Sequence, residues 1–119
     1  MNELFEIIDS KKNGESYLSN IKINSEHVIF KGHFPGNPIL PGVCMLELIK
    51  LLSGIYLNKK LKVVSASDMK FLKVINPIID CFITTEIIIK INENENYSIT
   101  AYLKQNETPF FKFKGLFFS

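Results

Sequence analysis

Residues 43–55 limit the possible folds more than any other part of this chain. At 3.6 residues per turn, Val43, Cys44, Met45, Leu46, Leu48, Ile49, Leu51, Leu52 and Ile55 put apolar side chains on every side of a helix. A helix of that kind has to be covered all round. Pro41 suits its first position, where a missing N–H costs nothing, and the pattern stops around residues 56–58. Glu47 and Lys50 break the run, which falls well short of the roughly 20 apolar residues of a membrane span.

The remaining chain reads mostly as strands. Residues 3–8 suggest a short helix or turn that ends in the polar stretch 9–14. Tyr17, Ile21 and Ile23 fall two or four apart, as on one strand face, and Asn24-Ser25 makes a turn before residues 28–30 lead into a Pro/Gly loop. Further strands are expected at about 61–72, 82–91, 97–104 and 110–118. Tyr97, Ile99, Ala101 and Leu103 alternate with polar neighbours, and Phe111 and Phe113 alternate with lysines. Polar hairpin loops fall at 92–96 and 106–108. One buried helix with sequential antiparallel strands predicts an α+β fold, a curved sheet wrapped around a central helix. At 119 residues the chain is expected to form one domain, 1–119. One small sheet covers only part of such a helix, so a second copy is expected to cover the rest.

Several function classes are disfavoured. Net charge is +2 and every one of the 14 basic residues is lysine, a mild and scattered balance that argues against nucleic-acid binding. Cys44 and Cys81 sit in apolar runs without metal-ligand spacing and are expected to be reduced core residues. No metal site is expected. The first residues carry neither the basic start nor the apolar run of a signal peptide, so a soluble, cytoplasmic protein with no membrane association is expected.

Chemistry concentrates in residues 32–47. His33 lies in a loop stiffened by Pro35, Pro38 and Pro41, where an imidazole near its ordinary pKa of about 6.5 can take or give a proton. His27 lies in plain strand context and reads as surface or structural. Glu47 stands on the apolar helix, where burial favours a protonated carboxyl suited to donating a proton. The alternative is a structural Glu47, either paired with Lys50 or lying on an exposed edge. The backbone N–H groups of Gly42 and Val43 open the helix, where the dipole favours negative charge and glycine leaves room for close approach. A base, an acid and an oxyanion site suit elimination across carbons 2 and 3 of an acyl thioester.

The motif Gly32-His33-Phe34-Pro35-Gly36-x-Pro38-x-x-Pro41-Gly42-Val43, followed by Leu46-Glu47, resembles the 3-hydroxyacyl-acyl carrier protein dehydratases of the FabZ type. Residues 20–24, Met69-Lys70-Phe71-Leu72-Lys73 and Ile75-Asn76-Pro77 extend the likeness. The resemblance implies a hotdog fold and a homodimer with two sites at the subunit interface. It implies that His33 and Glu47 of one chain serve different sites, and that carbonyl binding falls to Gly42. Phe34, Pro35 and Pro41 would shape the tunnel. The implied substrate is carried on the phosphopantetheine arm of acyl carrier protein, with no metal or organic cofactor. Higher assembly and a heterodimer stay open. The departures are Lys50, where the family has a small residue; Leu51, where it has Gln; Ile78-Ile79-Asp80, where it has Gly-Asp; and a missing His-Arg-Tyr-Pro-Phe segment. They suggest a specialised branch, such as polyene or modified-lipid assembly. A hotdog thioesterase and a non-catalytic acyl- or carrier-binding subunit are the rival readings.

Overall fold

The computed structural model describes residues 4–31, 36, 38–92 and 94–119. Two strands, β1 (Phe5–Asn13) and β2 (Ser16–Ile23), precede a 3-10 turn at Val28–Phe30 and a helix, α1 (Gly42–Leu57). Four strands complete the chain: β3 (Lys62–Phe71), β4 (Phe82–Ile91), β5 (Tyr97–Gln105) and β6 (Thr108–Phe118). They form one six-stranded sheet in the order β1-β2-β4-β5-β6-β3, with every neighbouring pair antiparallel.

The N-terminal segment departs from expectation: residues 5–13 are a strand, not a helix or turn. β1 pairs only with β2 and is exposed beyond Phe5, so no buried face imprints an alternating pattern on it. Gly14, at φ +66°, makes the tight turn that pairs Asn13 with Ser16. The segment after β2 also differs. His27 caps the 3-10 turn, its Nδ1 accepting the Ile29 N–H at 3.0 Å, so its role is structural but not in a strand. Cys44 is buried as expected, whereas Cys81 is only half-buried; both are free thiols.

The core lies between the concave face of the sheet and one stripe of α1. Tyr97, Ile99, Ala101 and Leu103 of β5 and Phe111, Phe113 and Phe117 of β6 are buried there. From the helix come Cys44, Met45, Leu48, Ile49, Leu52 and Ser53, spaced in pairs four apart as the helical period requires. The far half of α1 is pinned to β2: the Tyr56 and Ser19 hydroxyls hydrogen-bond, and Tyr56 stacks on Tyr17 with ring centroids 4.4 Å apart.

Within one chain the helix is not covered all round. Val43, Leu51 and Ile55 stay exposed, because one sheet can bury only the stripe that faces it. β3 is exposed on both faces and bonded only to β6, leaving Val63, Val64, Met69 and Phe71 at a free sheet edge. Among the described residues, no helix is long and apolar enough to cross a membrane.

Candidate active site

Pro41 ends the loop in an extended conformation and Gly42 begins the helix, one residue later than a proline at the first helical position implies. No side chain caps this helix start. The first-turn donors therefore lack the usual oxygen partner of a capping Ser, Thr or Asp. The loop is held from below, where the Leu40 N–H donates to the Ile75 carbonyl at 2.9 Å. The segment after Ile75 is itself closed, since Asp80 accepts the Asn76 N–H through its carboxylate at 3.1 Å. Residues 78–80, which depart from the resembled family, thus still form a tight turn.

Glu47 follows Gly42 by little more than one turn and is half-buried. It stands on the uncovered stripe of α1 and opens into a groove of about 590 Å³, within the size range of small-molecule sites. Lys50, Leu51, Ile55, Lys59 and Lys60 also line this groove. The expected alternative, an ion pair between Glu47 and Lys50, does not form among the described residues. Behind Glu47 lies Cys44. Its burial, reinforced by the charge of Glu47, pushes the Cys44 thiol above the ordinary thiol range. Folding therefore favours the neutral thiol, and the unfolded chain loses that proton first as pH rises. The stabilisation is complete below the ordinary thiol pKa and is lost as pH climbs through that value to the folded one. Melting temperature should fall more steeply above about pH 8.5 in the native sequence than in Cys44→Ala; equal slopes would exclude this thiol as the cause.

The space over Gly42 is not open in the single chain. An added Cβ would lie 2.6 Å from Cε1 of Phe71, whose ring sits against Gly42 and packs on Phe111 with centroids 4.8 Å apart. Glycine is needed here to admit that aromatic ring. No role for Phe71 emerged from the sequence beyond its place in the Met69–Lys73 motif, because contact between the end of β3 and the start of α1 is tertiary.

Pro41, Gly42, Val43 and Glu47 lie at the start and along the first two turns of α1, and of these four only Glu47 lines the groove. Pro41 and Gly42 are half-buried and Val43 is exposed. His33, Phe34 and Pro35 lie outside the described residues.

Comparison with known proteins places this chain in a family. The heterocomplex ApeI:P of Xenorhabdus doucetiae, described as a dehydratase, superposes with a TM-score of 0.67 at 19% identity, covering 93% of this chain and 96% of that one. The 3-hydroxyacyl-[acyl-carrier-protein] dehydratase FabZ of Lactiplantibacillus plantarum is 31% identical over 77 residues, 59% of this chain and 52% of that protein. FabZ of Legionella pneumophila (strain Lens) is 54% identical over 41 residues, 34% of this chain and 26% of that protein. The chain thus spans about half the length, or less, of these curated relatives. Its sheet and helix form the hotdog fold that the resemblance implied. The family model described as "ApeI-like: ApeI dehydratase" matches residues 9–112, nearly the whole fold, and the chain belongs to that family.

Proposed function

We propose that this chain removes water from a 3-hydroxyacyl thioester to give the trans-2-enoyl thioester. The observation that carries the reading is Glu47, half-buried on the open stripe of α1, facing a groove close to an uncapped helix start. In the elimination, the His33 imidazole takes the C2 proton and the electrons form the C2–C3 double bond. The C3–O bond breaks, and Glu47 protonates the departing hydroxyl to give water. The Gly42 and Val43 N–H groups hold the thioester oxygen as negative charge develops on it. Phe34, Pro35 and Pro41 shape the approach. No metal or organic cofactor is required by these steps.

The site is completed by a second copy of the chain. The bare β3 edge and the exposed Val43, Leu51 and Ile55 support such a partner. A homodimer is the assembly proposed, with His33 of one copy serving Glu47 of the other. The FabZ relatives' names supply the substrate form, an acyl chain on acyl carrier protein, and the proposed setting is a single-domain cytoplasmic enzyme of fatty-acid or specialised lipid synthesis.

The test is purified chain incubated with a 3-hydroxyacyl-carrier thioester, reading enoyl absorbance and free thiol in parallel. Enoyl product without thiol release is the expected result. Thiol release alone would make the protein a thioesterase, a chemistry the hotdog fold alone does not exclude. Neither product would favour a binding subunit, the reading that Lys50 and Leu51 in the groove support best.

A further inference from the structure

The described residues fix the chain on both sides of His33. After it, the Leu40 N–H is bonded to the Ile75 carbonyl. Before it lies the 3-10 turn Val28–Phe30, whose Phe30 is buried in the core. Three residues lead from Phe30 to His33, a reach of at most about 11 Å, against about 25 Å for the seven from His33 to Leu40. The turn is the nearer anchor, and a shift in it passes to His33 with little chain to absorb it.

That turn depends on its cap. The Phe30 N–H donates to the His27 carbonyl at 3.1 Å and the Lys31 N–H to the Val28 carbonyl at 3.0 Å. Between them, the Ile29 N–H is satisfied by a side chain, Nδ1 of the half-buried His27, at 3.0 Å. A 3-10 turn of three residues has poor hydrogen-bond geometry and little cooperativity, so one capping bond is a large part of its hold. An imidazole accepts at Nδ1 only while that nitrogen carries no proton, which places the ring hydrogen on Nε2. Protonation fills Nδ1 and sets two N–H groups against each other. The titratable neighbours are Glu26 and Lys31 in the same segment, Glu6 beyond the Leu4 carbonyl that accepts the Asn24 N–H, and Asp80 and Cys81 beside the bond from Ile23. Among the described residues none of them forms an ion pair with His27, and the Asp80 carboxylate accepts the Asn76 N–H.

We infer that His27 is a positioning residue for the dehydration: as the neutral ring it holds the turn that aims His33, and on taking up a proton it lets that turn go. This rests on the dehydratase reading with His33 as base. It adds a second histidine, outside the chemistry, through which acid lowers turnover.

The experiment follows enoyl formation from a 3-hydroxyacyl-carrier thioester between pH 8 and pH 5.5 in the native, His27→Ala and His27→Asn chains, with thermal melting as the check on folding. Asparagine is the conservative variant because its side-chain oxygen caps a turn without titrating. At pH 8, His27→Ala should lose about tenfold in kcat with KM little changed, and His27→Asn should match the native chain. Toward pH 5.5 all three slow as His33 takes up a proton, but the native chain should lose about tenfold more than His27→Asn. Parallel falls in those two chains, or an alanine variant as active as the native one, would overturn the inference. The chain has two histidines, so ring nuclear magnetic resonance follows both without turnover. On acidification the His33 signal should move in two steps in the native chain, one of them in step with His27, and in a single step in His27→Asn. Two coupled steps in a chain that forms no enoyl product would keep this inference and reject dehydration. Turnover with a single native step would do the reverse.

Discussion

Replacing His33 by alanine is expected to reduce enoyl-thioester formation by about a thousandfold, the scale of a lost general base. A proton on C2 of a thioester is weakly acidic, and a base has to be poised beside it. Among the groups proposed for the site, only His33 is an imidazole, the side chain whose unperturbed pKa lies near neutrality. The loss should appear in kcat, because the imidazole acts on the reacting bond more than on the bound thioester. Thermal melting and far-ultraviolet circular dichroism report the fold separately. A variant that folds and turns over at the native rate would remove His33 from the mechanism.

Replacing Gly115 by alanine is expected to be the most damaging small substitution for stability. Gly115 lies on β6 opposite Ala66 of β3 and Ile99 of β5. A Cβ there would overlap the Ser65 carbonyl oxygen, lie 2.7 Å from Cζ of Phe113 and 3.2 Å from Cα of Ala66. Two of those three atoms are β3 backbone, which cannot swing aside as a side chain can. The register between β3 and β6 is already irregular here, with shifts at Val63/Ser65 and Ala66/Asp68, so the strand has been bent to pass over this position. Relief requires parting β3 from β6, at a cost of about 3 kcal/mol, which is roughly 10–20 °C in melting temperature. Because β3 also carries Phe71 over Gly42, activity should fall with it. An unchanged melting temperature would mean that β3 is not packed on β6 as described.

Legibility in the sequence followed burial. β5 was readable because Tyr97, Ile99, Ala101 and Leu103 all face the core and their neighbours do not. The limits of α1 were readable because Pro41 and the left-handed Asn58 are local punctuation. β1 was not readable, since an edge strand exposed along its length has no periodicity to reveal it. The Asn13-Gly14 pair was the one local hairpin signal available there. Within the site, Glu47 and the helix start were legible as a motif on one element. Phe71 was not, because it meets the site through β3.

The proposal that each site joins two copies of the chain is tested most directly by mixing inactive variants. His33→Ala and Glu47→Gln chains, each inactive alone, are unfolded together in equal amounts and refolded so that subunits exchange. If each site takes His33 from one copy and Glu47 from the other, every mixed dimer holds one intact site, and about a quarter of native activity returns. If both groups act within a single chain, no dimer holds an intact site and the mixture stays inactive, which would contradict the account.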